Sequence, residues 1–276
     1  MTTRPDPTSP FPIAKADMIE GLAKGLAVLE SFDTERQRLN ITLAASRAGL
    51  SRAAARRQLL TLTHLGYLET DGSHYWLSPR VLRLSGSYLA SARLPRLLQP
   101  TLNRLAVQTR EWFSAVVLDE REVVIVARSG FVDALSSASA AGDNRPPLRA
   151  YGLHLGARLP AHATSTGRVL LAAMEPAALD QWLAAQRLPR LTPRTTTDLA
   201  QFRALLDAVR RDDFCIASEE HEAGVMAMAV PLRNMHGHTV AALNVVATPA
   251  RLQRAAARRE LLATMAEAAM ELRGSL

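Results

Sequence analysis

Apolar residues at Leu22, Leu26, Leu29 and Phe32 recur every three or four positions, the spacing that lines one face of an α-helix, and predict a first helix over 19–32. A polar loop at 33–39 follows. Asn40 or Thr42 can then cap a short second helix running through Ala48, and Gly49 supplies the left-handed conformation at which one helix ends and the next begins. Ser51, a favoured N-cap residue, opens a third helix, SRAAARRQLLTLTHL. There Ala55, Leu59, Leu62 and Leu65 form the apolar face while Arg52, Arg56 and Arg57 project elsewhere. Beyond Gly66, YLETDGSHYWL reads as two short strands flanking Asp71-Gly72, a hairpin signal. Helix, turn, helix and hairpin in this order predict a winged helix-turn-helix with 51–65 as its recognition helix.

The pattern then changes character. Val81, Leu82, Leu84, Tyr88 and Leu89 give a linker helix after Pro79, and Pro95 is expected to break it before another helix over 97–110. Valine-rich runs at 113–118 and 123–128 flank polar 119–122 as a hairpin does. Helical spacing returns at 167–174, 176–186 and 198–211, followed by strand-like 214–218, 227–233 and 239–247 and one long closing helix over 251–273. Grouped hairpins and grouped helices point to an α+β domain rather than regular βαβ units. The expected organisation is a disordered proline-bearing segment 1–17, a winged helix-turn-helix 18–79, a linker helix 80–93 and a sheet-and-helix effector domain 94–276. Residues 131–149, polar and small, are expected to form a loop.

Charge sharpens the first domain. The net charge is +7, and Arg47, Arg52, Arg56 and Arg57 cluster with no acid among them. A solvated basic face is common by itself, but it does not predict a wing beside it. Double-stranded operator DNA is therefore the expected partner. Ser51 starts the reading helix, Arg52, Ala53, Arg56 and Arg57 face the groove, Thr42 and Arg47 meet backbone phosphate, and His74 approaches a phosphate or the minor groove. One winged helix reads few base pairs, so a homodimer on paired half-sites is expected. Cys215, the single cysteine, excludes an internal disulfide and fits a reducing cytoplasm; lying in an apolar run, it is expected to be a buried structural thiol. No apolar run approaches the roughly 18–20 residues that span a bilayer, so no membrane association is expected.

Three stretches of the second domain carry candidate chemistry. LPAHATSTGRVLLAAM places Thr164, Ser165 and Thr166 directly before a helix expected at Gly167, where hydroxyls and free N–H groups converge at a positive helix end suited to a carboxylate; an ordinary N-cap is the plain alternative. Asn244, inside the apolar strand TVAALNVVATP, needs hydrogen-bond partners, from a ligand or from a neighbouring loop. In SEEHEAGVMAMAVP, Glu219, Glu220, His221 and Glu222 read by default as a loop of solvated charges; an enzyme acting on a small carboxylic acid would use Glu219 or His221 as acid or base. His154, His162, His236 and His238 lack zinc spacing, and no nucleophile elbow or phosphate-binding glycine loop occurs. No catalytic residue, metal or cofactor is expected.

Taken together, GLAKGLAVLESF, ITLAASRAGLSRAAARRQLLTLTHLGYL, LGARLPAHATSTGRVLLAAM and SEEHEAGVMAMAVPLRNMHGHTVAALNVVATP resemble the IclR family of bacterial transcriptional regulators over nearly the whole chain. Within the family, LSPRVLRLSGSYLASARLP and VVLDEREVVIVARS resemble the branch of activators of 4-hydroxybenzoate hydroxylase genes, which includes regulators answering to protocatechuate and 3-oxoadipate. The resemblance implies a dimer or tetramer, a GAF-like effector domain, and a ligand-responsive regulator of aromatic acid catabolism, with RNA polymerase a possible further partner. It carries effector contacts onto Ser165, Thr166, Ala217, Ala227, Asn244 and Val246. Relatives that bind two- or three-carbon acids are polar or acidic at several of these positions. Small, apolar Ala217, Ala227 and Val246 instead leave room for a ring, so the implied inducer is a small aromatic acid, 4-hydroxybenzoate, with protocatechuate or the open-chain 3-oxoadipate as the alternatives. Residues 131–147 do not match the family pattern well.

Overall fold

A computed structural model describes residues 13–33, 36–130, 153–247 and 249–276. The loop expected at 131–149 and most of the lead-in expected at 1–17 lie outside the described residues; the part of the lead-in that is described already forms a 3-10 turn at Lys15–Asp17. The chain divides into two compact units, one up to Ser91 and one from Ala92.

The N-terminal unit contains α1 (Glu20–Glu30), α2 (Ile41–Arg47), α3 (Arg52–His64), β1 (Leu68–Thr70) and β2 (Tyr75–Leu77). Asn40, rather than Thr42, caps α2, its carboxamide oxygen accepting from Leu43 N at 2.9 Å, and Ser51 caps α3 by accepting from Ala54 N at 3.2 Å. Val28, Leu39, Ala44, Leu59, Leu68 and Tyr75 pack into one core. The face of α1 differs from the sequence expectation. Val28 and Phe32 turn inward, while Leu22 and Leu26 are 61% and 46% exposed. Gly25 explains the rotation: a side chain there would lie 3.3 Å from Gln58 on α3, so the helices cross at a small residue on the face of Val28, and a count of apolar side chains passes over glycine. Leu65 also leaves its expected face and is 48% exposed, because the chain turns at Gly66, with φ +79°, before the next helical position is reached. The hairpin loop is longer than the expected two residues. Thr70 pairs with Tyr75, and Asp71 organises 71–74 by accepting from Ser73 N at 2.9 Å and His74 N at 2.7 Å. Those bonds hold its carboxyl down at about 2. After a 3-10 turn at Pro79–Val81 comes α4 (Leu82–Ser91), which buries none of its residues.

The C-terminal unit opens with α5 (Arg93–Thr109). Pro95 does not break it as expected. It occupies the first turn, where a backbone N–H has no helical acceptor to lose. Strands β3 (Trp112–Asp119), β4 (Glu122–Arg128), β5 (Arg158–Pro160), β6 (Cys215–Ser218), β7 (Met226–Arg233) and β8 (Thr239–Ala247) form one antiparallel sheet ordered β5-β4-β3-β8-β7-β6. β5, three residues long, was not anticipated.

Alternation along the strands separates two cores. Phe113, Met228, Leu243 and Val245 meet α5 and the last helix on one face. On the other, Val116, Ile125, Ala229 and Ala242 meet α6 (Ser165–Ala172), α7 (Pro176–Ala184) and α8 (Leu199–Asp212). The expected single closing helix is two: α9 (Pro249–Leu252) and α10 (Ala255–Leu272), separated where Arg254 takes an extended conformation and restarts the helix.

Candidate functional site

The face of the sheet beneath α6 bears a pocket with about 750 Å³ of unfilled space, its opening included. Register fixes its floor. Trp112 lies opposite Val246, Val246 opposite Ala227, and Ala227 opposite Ala217, a row across four strands with the same facing. One step along, Ser114 lies opposite Asn244. Ser165 Oγ donates to Asn244 Oδ1 at 3.3 Å, and Asn244 Nδ2 donates to Ser114 Oγ at 3.3 Å, so the amide has partners but holds them at long range. Ser165, Thr166, Ala217, Ala227, Asn244 and Val246 all line this pocket.

The helix above it begins earlier than expected. Thr164 is the N-cap, accepting from Gly167 N at 3.1 Å, so Ser165 and Thr166 are the first helical residues rather than part of the approach. Their backbone N–H groups therefore belong to the positive helix end. Gly167 is obligatory here: a Cβ would lie 2.0 Å from the carbonyl oxygen of Ala161, because helix and preceding turn meet backbone to backbone.

The acidic loop is not the solvated loop expected. Glu220 is buried and meets Arg168 side-on, with Nη1 and Nη2 at 2.6 and 2.5 Å from its two carboxylate oxygens. Glu219 accepts from Gly224 N at 3.0 Å and lies 2.8 Å from Arg194, closing the turn. His221 lines the pocket half-buried, and its Nδ1 is buried with no hydrogen-bond partner among the described residues. Burial lowers its pKa, and nearby His162 adds to the shift while Glu222 opposes it. The sequence reading also passed over Arg128 and Trp112 as pocket residues; the guanidinium lies over the indole at 4.6 Å, and burial lowers its pKa. Arg168 did leave a signal in the sequence: a charge inside the apolar run GRVLLAAM has to be matched by an acid elsewhere. Cys215 is buried, and burial pushes its thiol up to about 11. No cluster of three metal-ligating side chains occurs among the described residues, and no described helix is long and apolar enough to cross a membrane.

In the N-terminal unit Ser51, Arg52, Ala53, Arg56 and Arg57 are exposed along α3, and Thr42 is exposed on α2. Arg47 is differently placed from the arginines of α3. Its Nε donates to Ser31 O at 2.6 Å and its guanidinium pairs with Asp33, which ties α2 to the end of α1. His74 is half-buried in the wing loop with Nδ1 2.9 Å from Ser73 Oγ. Arg38, overlooked in the sequence, lies over Trp76 at 4.2 Å and 3.6 Å from Asp71.

Comparison with known proteins agrees with these two units. The IclR helix-turn-helix domain matches residues 21–72, and the C-terminal domain of bacterial transcriptional regulators of the IclR type matches 145–273. The chain belongs to the IclR family of transcriptional regulators. It is 51% identical over 247 residues to the p-hydroxybenzoate hydroxylase transcriptional activator of Acinetobacter baylyi, covering 90% of this chain and 88% of that protein. A crystal structure of an IclR homologue from Microbacterium hydrocarbonoxydans complexed with 4-hydroxybenzoate is similar at 29% identity and a TM-score of 0.67, over 92% of this chain and 97% of that one. The inducer-binding domain of the transcription factor PobR from Acinetobacter, a double mutant in complex with 3-hydroxybenzoic acid, is similar at 44% identity and a TM-score of 0.57, over 66% of this chain and 98% of that one.

Proposed function

We propose that the protein is a one-component activator of aromatic acid catabolism genes, in which an aromatic acid, 4-hydroxybenzoate, fills the pocket beneath α6 and changes how paired α3 helices engage operator DNA. The observation that carries this is the pocket's division into a polar roof and an apolar floor. Ser165 and Thr166 open a helix above it, and Trp112, Ala217, Ala227 and Val246 form an uncharged row across the floor. A carboxylate suits the first and a ring the second. The 51% identical relative named for p-hydroxybenzoate hydroxylase activation, and the homologue bound to 4-hydroxybenzoate, support the same chemistry.

DNA binding is assigned to the N-terminal winged helix, with Arg52, Ala53, Arg56 and Arg57 facing the groove from the Ser51 cap, Thr42 at a phosphate and His74 at the wing. Effector binding is assigned to the unit from residue 94 onward. A homodimer, or a dimer of dimers, is the working assembly, and the exposed Leu82, Leu84 and Tyr88 on α4 are surface that a second copy would cover. RNA polymerase is the contact that activation requires, and the cytoplasm is the compartment. The ligand must favour one dimer geometry, and DNA must reciprocally alter ligand affinity.

Calorimetric titration of the full chain with 4-hydroxybenzoate, protocatechuate and 3-oxoadipate, followed by product analysis, tests this reading. Binding of 4-hydroxybenzoate in preference to the others, without turnover, is expected. No heat and no melting shift with 4-hydroxybenzoate would remove it as inducer, and turnover of any of the three would overturn a purely regulatory role.

A further inference from the structure

We infer that Arg80 is a positioning residue for the recognition helix: from the turn that feeds the linker helix it caps the C-terminal end of α3, and so sets the angle at which α3 meets DNA. The inference rests on the DNA-binding reading above. A helix leaves its last carbonyls without intrahelical donors. At the end of α3 the chain supplies two donors itself, Gly66 N to Thr63 O and Tyr67 N to Leu62 O, both at 2.9 Å, around Gly66 in the left-handed conformation. Neither bond serves Leu65 O, and there Arg80 Nη1 donates. Ser78 completes the clasp, its Oγ donating to Gly66 O at 2.5 Å and its N to Tyr67 O at 2.9 Å. Leu65, Gly66 and Tyr67 thus each give their carbonyl to Ser78 or Arg80.

Charge and leverage give the clasp its effect. A helix C-terminus carries partial negative charge, so a guanidinium on its last carbonyl is favoured twice, by the hydrogen bond and by the dipole. The same guanidinium lies over the Tyr67 ring at 5.8 Å, and a Cβ on Gly66 would come within 3.0 Å of Nη1. Arg80 is therefore engaged by the turn after α3, at the end of the helix away from Arg52, Arg56 and Arg57, instead of standing free for phosphate. With 13 residues α3 is about 20 Å long, and a tilt of about 10° at its Leu65 end carries the Ser51 end through about 3 Å. That displacement separates a side chain from the base edge it would bond. The 3-10 turn that holds Arg80 leads directly into α4, which buries none of its residues, so a change in the course of α4 reaches α3 through this contact.

The test uses the full-length protein, a duplex that the wild-type chain selects from a randomised pool, and a random-sequence duplex. In Arg80→Ala the preference for the selected duplex is expected to fall about tenfold, because alignment with base edges is lost. Binding of the random duplex, and the salt dependence of both, are expected to stay as in wild type, because contacts to phosphate are kept. Arg80→Lys, which keeps a cation able to reach Leu65 O, is expected to restore much of the preference. Addition of 4-hydroxybenzoate is expected to change the affinity of Arg80→Ala for the selected duplex by less than it changes that of wild type, although calorimetry finds the acid bound equally well. Circular dichroism checks that each variant is folded, and Ser78→Ala, which removes the bond to Gly66 O, reads the same preference if Arg80→Ala is not. An unchanged preference in the folded variant would overturn the inference while leaving the DNA-binding reading intact. So would equal weakening of both duplexes with a salt slope smaller by about one, the mark of a lost phosphate contact. Wild-type protein that selects no duplex from the pool would overturn both.

Discussion

Arg168 and Glu220, 52 residues apart in sequence, meet as a buried two-bonded ion pair that fastens the loop at one end of the effector pocket to the helix that roofs it. Arg168 is 2% exposed, its Nε donates to His162 O at 3.2 Å, and Glu220 also accepts from Thr196 N at 3.1 Å. With its hydrogen bonds so filled, the pair anchors the chain at Glu220, the residue before His221. Removing one partner strands the other charge in the interior. Arg168→Met or Glu220→Gln is therefore expected to lower stability by about 3–5 kcal/mol in urea unfolding, and the double variant Arg168→Met/Glu220→Leu to recover part of that loss.

Gly167 and Gly86 make a matched test of backbone packing. At Gly167 a methyl group would overlap the Ala161 carbonyl, whereas at Gly86 on α4 nothing lies within 4 Å. Gly167→Ala is expected to cost about 2 kcal/mol or more and to abolish ligand response as the start of α6 shifts. Gly86→Ala is expected to raise helix stability by about 0.5–1 kcal/mol. Thermal melts of the two variants, with and without 4-hydroxybenzoate, read both effects.

Ser165 is 1% exposed and touches Asn244 from the helix start. Ser165→Ala removes the hydroxyl without adding bulk at this buried position. Ligand affinity is expected to fall about tenfold while DNA affinity measured without ligand is unchanged. Paired titrations of ligand and of operator DNA separate the two.

Arg56 and Arg47 carry the same charge in different settings. Arg56 is exposed on α3, whereas Arg47 is bonded to Ser31 and Asp33. Arg56→Ala is expected to weaken operator DNA by about 1–3 kcal/mol and random DNA by less. Equal weakening of both would show phosphate contact instead of base reading. Arg47→Ala is expected to lower the melting temperature of the N-terminal unit, with a smaller effect on the salt dependence of DNA binding than loss of a phosphate contact would produce.

Glu111 gives the C-terminal unit a pH signature. It is buried beside Arg251, 3.0 Å away, and burial outweighs that attraction to raise its carboxyl from 4.5 to about 7. The folded state therefore holds this proton more tightly than the unfolded chain does. Its contribution to stability is full below about pH 4.5, declines as pH rises through the interval up to about 7, and is constant above. Glu111→Gln is expected to flatten that decline in melts collected from pH 5 to 8.

Much of this molecule is written in local pattern. The Asn40 and Ser51 caps, the glycine turn at Gly49 and the alternation along β7 and β8 each depend on neighbours a few residues away, so spacing alone is enough to find them. Of the pocket floor, Asn244 stood out as a polar residue in an apolar strand, Ala227 and Val246 came from the family resemblance, and sheet pairing sets Ala227 opposite Val246. The inward face of α1 was misread because a helix crossing at Gly25 depends on what α3 presents, and no apolar residue marks it.

The sequence by itself determined the winged helix and the α+β class, because helical and strand periods and capping residues act over a few positions, and its family resemblance picked out part of the pocket lining, Ser165, Thr166, Ala217, Ala227, Asn244 and Val246. Tertiary structure alone decided that Glu220 is buried against Arg168, that Arg47 is tied to Ser31 and Asp33, and that Arg128 and His221 line the same pocket. The fate of a charge depends on which partner the fold brings within hydrogen-bond reach and how much water it removes, and neither is encoded in the spacing of a single segment.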